Sequence, residues 1–350
     1  MREVAVVGFA QATSPAERER NEVEMVMPVV QGAVAASGIP NDEIGFTCSG
    51  SNDYLVGGPF SFVGALDAVG AWPPIRESHV EMDAAWALYE AWVQLQKGVV
   101  DSALVYGFGK TSTTDLAKLF TIQLDPYYLA PLWPDTHTLA ALQARAYLEA
   151  TGRDERELAE VAARSRSAAA DNPDSVVDRA VTVDDVLGEP PIAPPLRPSE
   201  CAPITDGAAA IVLAADGLAR SVCERPAWIR GIDHRTDAHS LGARALERAT
   251  SAAIAAEALG VGTGPVDVAE LHAPYAHDEL LLRDALGLRE DTTVNPSGGA
   301  LGANPVMATG LIRIGEAAGR VIDGSAERVV AHATQGPCLQ QNLVCVMEGA

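Results

Sequence analysis

The chain reads as an α/β protein built from two similar halves. Two observations predict this. Short apolar runs alternate with amphipathic helical stretches, the pattern of strands with helices on their faces. The order of strand ends in the first part also returns in the second: Phe46-Thr-Cys-Ser-Gly50 is answered by Glu270-Leu-His-Ala-Pro274, Glu81-Met-Asp-Ala84 by Gly298-Gly-Ala-Leu301, and Gly107-Phe-Gly109 by His332-Ala-Thr334. An internal repeat at this scale is an organisational signal in itself.

The elements follow in order. Val4–Gly8 is a short apolar run ending in glycine, a buried strand of parallel type. Helical spacing over Glu24–Ser37 stops at Gly38-Ile-Pro40. Glu43–Cys48 and His79–Asp83 read as strands, Ala84–Lys97 as a helix closed by Gly98, and Ser102–Gly107 as a third central strand. This alternation predicts a parallel sheet. From Lys110 to Pro203 the pattern breaks into a proline-rich excursion that covers the sheet, with helices at Thr138–Thr151 and Glu155–Asp171. The sheet resumes at Ala208–Ala214. Ala227–Asp233 is a strand, Leu241–Leu259 a helix and Val266–Leu271 a strand. A helix at Glu279–Leu288 follows, then a glycine-rich loop at Asn295–Gly302 that enters a helix at Pro305–Gly319. Strands at Arg328–Ala333 and Asn342–Met347 close the chain. The halves divide as 1–220, including the covering region 110–203, and 221–350.

With 350 residues, 48% of them hydrophobic and 21% charged, the chain can bury a large core. A formal charge of −22 argues against nucleic acid and anionic membrane surfaces as partners. The five cysteines show no zinc-ligand spacing and no disulfide framework, which points to a reducing compartment. No apolar run suits a membrane span or a signal peptide, so a cytoplasmic location is expected.

The most chemical stretch is Asp267–Asp278. A buried strand runs out into a corner holding His272, Tyr275, His277 and Asp278. Ligands of open α/β sheets bind where strands end and loops begin. The alternative is that the histidines cap the following helix or satisfy backbone groups.

Several further motifs resemble the thiolase superfamily. They are Asp125-Pro-Tyr-Tyr-Leu-Ala-Pro-Leu132, Asn172-Pro173, Thr182-Val-Asp-Asp-Val-Leu187, Pro195-Leu-Arg197, Thr205-Asp-Gly-Ala-Ala-Ala210, Glu270-Leu-His272 and Asn295-Pro-Ser-Gly-Gly299. The resemblance is to the sterol-carrier-protein type of thiolase and the actinobacterial lipid-transfer-protein branch, and it runs along nearly the whole chain. It implies the thiolase fold, two α/β halves in a five-layer αβαβα sandwich with an inserted loop region, and dimerisation. The substrate it implies is an acyl-CoA thioester, with coenzyme A as part of the substrate, no separate cofactor and no metal. The implied partners are a second copy, a paralogous thiolase-like subunit, or a small OB-fold protein.

The chain departs from the family pattern at the reactive positions. A thiolase uses a cysteine acidified at a helix N-terminus. Counting back from Gly98 places Glu81 there, with Asp83 two residues on, and Arg76–Tyr89 holds no cysteine. The family's Gly-His-Pro histidine corresponds to Asn304, and its C-terminal acid/base falls near Gln341. Only His272 matches. Without a nucleophile, thiolysis is disfavoured, whereas retro-aldol cleavage of a 3-hydroxyacyl-CoA needs only a base and donors for the developing enolate. On this reading His272 is the base or an enolate donor, Asn304 a second donor, Tyr275 an auxiliary acid, and Glu81 or Asp83 an orienter or proton acceptor. Tyr275 also suits plain packing at a strand-to-helix corner, and Glu81 a helix-terminal charge. Ser297, Gly298, Gly299 and Cys338 are expected to line the substrate, although Cys338 also fits an inert apolar role. Arg145 and Arg197 are candidate phosphate partners. Two other readings are a catalytically silent subunit and a lipid- or sterol-binding module.

Overall fold

A computed structural model describes residues 2–16 and 19–349. Ten strands form one hydrogen-bonded sheet in the order β3-β2-β4-β5-β1-β6-β10-β9-β7-β8. Their ranges are Val4–Ser14 (β1), Phe46–Gly50 (β2), Glu77–Val80 (β3), Ser102–Gly109 (β4) and Asp206–Ala215 (β5) in the first half. Ala227–Thr236 (β6), Val268–Leu271 (β7), Thr293–Val294 (β8), Arg328–Gln335 (β9) and Gln341–Glu348 (β10) make the second. Read outward from the β1–β6 junction, the first half runs 1-5-4-2-3 and the second 6-10-9-7-8. Each strand therefore has a counterpart, and the repeat seen in the sequence is a repeat in space.

The sheet is mixed rather than parallel throughout. β3, β2 and β4 are mutually parallel, as are β8, β7 and β9, but β5, β1, β6 and β10 pair antiparallel. The reason lies in the connections. The excursion after β4 returns the chain in the opposite direction, and β9 reaches β10 through a short turn that only an antiparallel pair allows.

Twelve α-helices are present among the described residues. α1 is Glu22–Ser37, α2 Asp53–Val56, α3 Ser61–Val69, α4 Ala84–Gln96, α5 Leu116–Ile122 and α6 Thr136–Thr151. α7 is Glu155–Ala170, α8 Val183–Gly188, α9 Asp216–Val222, α10 Thr250–Ala258, α11 Ala276–Leu286 and α12 Thr309–Ile322. Local chemistry sets their ends. α1 opens on a capping box between Asn21 and Glu24 and closes on Gly38 at φ 69°. α6 opens on Asp135, which accepts from Thr138 N, and closes on Gly152 at φ 72°.

Three apolar clusters define the layers. α4 and α12 lie between the two halves of the sheet with Val105, Ile211, Leu343 and Cys345. α1 and α3 cover the outer face of the first half against Leu104, Tyr106 and Val212. α6, α7, α10 and α11 cover the second half against Ala269, Leu271 and Val344. The result is helix, sheet, helix, sheet, helix. Strand residues alternate between layers: Val105 faces the central helices and Tyr106 the outer ones.

Three expectations are corrected here. β3 ends at Val80, so residues 81–83 form a loop and Asp83 is the N-cap of α4. The helix expected at Leu241–Leu259 is a 3-10 turn at Leu241–Ala243 followed by α10. Arg244 is drawn off to the carbonyls of Pro337 and Cys338, and Asp237 takes the Ser251 N–H near the start of α10. The helix after the glycine-rich loop starts at Thr309 rather than Pro305. Met307, at φ 80°, breaks the regular backbone between them.

Candidate active site

The two central helices meet N-terminus to N-terminus and cap one another. The first N–H of α4, from Ala84, donates to the Met307 carbonyl at 2.9 Å. In return, Gly310 N of α12 donates to Asp83 Oδ2 at 2.9 Å, while Asp83 Oδ1 accepts from Ala85 N at 2.9 Å. Asp83 is 2% exposed. Burial pushes its carboxyl up to about 6, against the pull of the amides it accepts from. A Cβ on Gly310 would lie 2.5 Å from Asp83 Oδ1, so glycine is what lets the carboxylate approach the helix end. Asp83 thus ties the two halves together and is enclosed by them.

His272 follows β7 directly, on the face turned toward α12. Its N–H donates to the His332 carbonyl, and its Nδ1 accepts from Thr334 N at 3.4 Å. Burial, with help from His332 and Arg313, pulls the imidazole down to about 3, and a hydrogen bond with Asn304 only partly opposes this. The ring is therefore neutral at pH 7. With Nδ1 occupied as an acceptor, the proton sits on Nε2. His272 consequently has no free basic nitrogen, and its Nε2–H is the donor in the hydrogen bond with Asn304.

Asn304 lies at the turn before α12, where the Asn304 N–H donates to Thr205 Oγ1 at 2.8 Å. Its Oδ1 accepts from Thr309 Oγ1 at 2.9 Å, which leaves the amide N–H₂ to donate. Behind the pair, Glu270 and Arg313 form an ion pair at 2.8 Å, with side chains 0% and 4% exposed. Ser297 Oγ donates to Glu270 at 2.7 Å and accepts from Arg313 at 2.6 Å. A void of about 10 Å³, room for one water, adjoins Ser297 and Arg313.

The loop 81–83 reaches the same region through Gln335, whose Oε1 accepts from Asp83 N at 2.9 Å. Gln335 is next to Thr334, which holds His272. It is thus Gln335, not Gln341, that brings the C-terminal strands to the loop. Glu81 is on the open side. Its Oε1 accepts from Asp53 N at 2.7 Å, and its Oε2 faces His79 Nε2 at 3.2 Å.

The remaining expected residues lie elsewhere. Tyr275 is the N-cap of α11, and its hydroxyl faces His137 Nδ1 at 3.4 Å, toward α6 rather than His272. Ser297 is committed to Glu270 and Arg313. Gly298 and Gly299, at φ 94° and 61°, pack against Ala169 and Asn295. Cys338 Sγ faces the Leu139 carbonyl, and burial pushes its thiol up to about 12. Arg197 pairs with Glu155 at 2.8 Å. A cleft of about 550 Å³ between α6, α10 and α11 is lined by Tyr147, Arg248 and Asp284 and includes none of the His272 cluster. Sequence reading missed Thr334 and Gln335. Their one signal was the position at the end of β9, opposite the strand end that carries His272.

Comparison with known proteins bears on the fold. The structure superposes on the "Ltp2-ChsH2(DUF35) aldolase" with a TM-score of 0.81, covering 99% of this chain and 98% of that one at 18% identity. It superposes on human mitochondrial 3-ketoacyl-CoA thioIase with a TM-score of 0.80 and 14% identity, covering 100% and 99% of the two chains. The chain has the thiolase fold. Sequence relatives are thiolase-superfamily proteins as well. An acetyl-CoA acetyltransferase of Methanothermobacter thermautotrophicus is 25% identical, with 96% of this chain and 95% of that protein covered. Sterol carrier protein 2 of Gallus gallus is 26% identical over 94% of this chain and 68% of its own length. No family model matches the chain. Among the described residues, no helix is long and apolar enough to cross a membrane, and no group of three His, Cys, Asp or Glu side chains could hold a metal ion.

Proposed function

We propose that this thiolase-fold chain acts on acyl-CoA thioesters as a retro-aldol carbon–carbon lyase, alone or as a subunit, on a 3-hydroxyacyl-CoA with a sterol-like acyl group. The observation that carries the reading is the pairing of a neutral His272, its proton on Nε2, with Asn304. This hydrogen-bonded neutral pair, buried and with the Asn304 N–H₂ left to donate, suits a thioester oxygen that gains charge as an enolate forms. Such donors need no reorganisation, and low exposure strengthens them. The relative named as an aldolase supports the same direction. Coenzyme A enters as part of the substrate. Partners on this reading are a second copy, a paralogous thiolase-like chain, or a small OB-fold protein.

The reaction also needs a proton acceptor, and the geometry disfavours two of the groups considered. Asp83 is enclosed between helix ends, and His272 Nδ1 is occupied. Glu81 is the acceptor we assign: it is open to solvent on the neighbouring loop, and each of its oxygens keeps a second lone pair beyond the contacts with the Asp53 amide and His79. One observation favours the silent-subunit reading: residues 81–83 are Glu, Met and Asp, so the loop offers no thiol. The test is release of a shortened acyl-CoA from a 3-hydroxyacyl-CoA steroid thioester, assayed with this chain alone and with co-purified partners. The lyase reading expects turnover that His272→Ala lowers by roughly 100-fold or more, the scale of losing one oxyanion donor. Turnover that appears only with a partner and ignores His272→Ala would establish the silent subunit instead.

A further inference from the structure

A second polar row crosses the outer face of the first half. Ser49 on β2 lies in register with His79 on β3 and with Tyr106 on β4. Ser49 Oγ is 2.9 Å from His79 Nδ1, and His79 Nε2 is 3.2 Å from Glu81 Oε2. The imidazole stacks on Phe62 of α3, with centroids 4.5 Å apart and planes 12° from parallel. We propose that Ser49 and His79 form a relay that positions Glu81 as the proton-accepting group of the site. This rests on the lyase reading above.

Exposure gives the row its direction. Ser49 is 0% exposed, the His79 side chain 12% and the Glu81 side chain 46%. Ser49 is too enclosed to act as a nucleophile, which leaves it a supporting role. An exposed His–Glu contact alone is worth little. Here the ring is held by a buried hydroxyl on one side and an aromatic face on another, so its direction is set before Glu81 is met. Set between a carboxyl oxygen and a hydroxyl, the ring fits with Nε2 donating to Glu81 and Nδ1 accepting from Ser49. Tyr106 stands beside Ser49 in register on β4, with its buried hydroxyl lacking a hydrogen-bond partner among the described residues. The carboxylate is thus fixed by two donors from different elements, His79 and the Asp53 amide. A simple helix cap would require only the second. The other charged groups acting on His79 are Asp53 and Glu77.

The step balances within the site. Glu81 takes the proton of the substrate 3-hydroxyl as the carbonyl forms. The C2–C3 bond breaks, and its electron pair passes to the thioester enolate held by His272 and Asn304. The same proton then returns from Glu81 to C2. The products are a ketone or aldehyde and the shortened acyl-CoA, with no oxidant and no net proton.

The test has two arms. Nitrogen-15 NMR of the histidine side chains, with the His79 signals identified by their loss in His79→Gln, reports which ring nitrogen carries the proton. The relay expects one tautomer, protonated at Nε2, in the wild type and a mixture in Glu81→Ala. In turnover, His79→Ala is expected to lower kcat by roughly 10- to 100-fold with KM within about 2-fold, less than the roughly 100-fold or more carried by an acid–base group itself, because Glu81 remains. His79→Gln keeps a donor for Glu81 and an acceptor for Ser49, and is expected to recover most of that loss. A wild-type mixture unchanged by Glu81→Ala, or wild-type turnover in His79→Ala, overturns the relay. A fixed tautomer in a protein that cleaves none of the thioesters overturns the lyase reading and, with it, the role of Glu81 as proton acceptor, leaving only the Ser49–His79–Glu81 contact.

Discussion

His272 and Asp83 show how differently two buried ionisable groups can be used. Asp83 has both oxygens occupied by helix N–H groups and spans the α4 and α12 ends. Replacing it with alanine removes a cap from one helix and an acceptor from the other. The expected cost is about 2 kcal/mol, measured as the shift in urea midpoint at constant slope. His272 and Asn304 were legible in the sequence because a strand end and a resembling motif marked them. The direction of the His272 proton was not, since it depends on Thr334, distant in sequence. Nearness to His272 along the chain points Tyr275 toward the site. In space the start of α11 turns it to His137, a separation that chain distance does not encode.

At the scale of elements, β7 is tied to α12 by the buried Glu270–Arg313 pair. Arg313→Met alone leaves a buried carboxylate without its partner and is expected to cost about 3–5 kcal/mol. Glu270→Met together with Arg313→Met is expected to cost less than the single change, and a double-mutant cycle in urea measures the difference. Between β9 and β10, His332 is fully buried, its Nε2 2.9 Å from Asn342 Oδ1, and burial pulls it down to about 4. A lowered histidine contributes stability that is complete above its unfolded value near 6.5 and is lost as pH falls toward 4. Asp278 and Glu200 act with the opposite sign. Burial pushes both up to about 7, so each costs stability as pH rises from about 4 to 7. His332→Gln is therefore expected to flatten the loss of stability between pH 6.5 and 4, read from unfolding midpoints across that range. These elements were largely visible as strands and helices in the sequence. The failures came where side chains, rather than periodicity, decide. Arg244 and Asp237 cut short the helix expected at Leu241–Leu259, and a mixed sheet replaced a parallel one because long and short connections set strand direction.

For the whole molecule, the internal repeat made the architecture readable. Each half contributes a strand end to one central site, and the excursion between β4 and β5 covers the sheet without interrupting the pairing. A chain with a net charge of −22 repels itself when folded. Its thermal midpoint is expected to rise by a few degrees as NaCl is raised from about 10 to 200 mM at pH 7, since screening shortens the reach of that repulsion. A scan at several salt concentrations checks this. Stabilisation of a thioester enolate by the His272–Asn304 pair is tested directly by hydrogen–deuterium exchange at C2 of a short acyl-CoA in D₂O, followed by mass spectrometry. Deuterium is expected to enter the acyl group with the wild type, and that exchange is expected to be lost in His272→Ala and Asn304→Ala. No exchange with the wild type, or equal exchange in the variants, would contradict it.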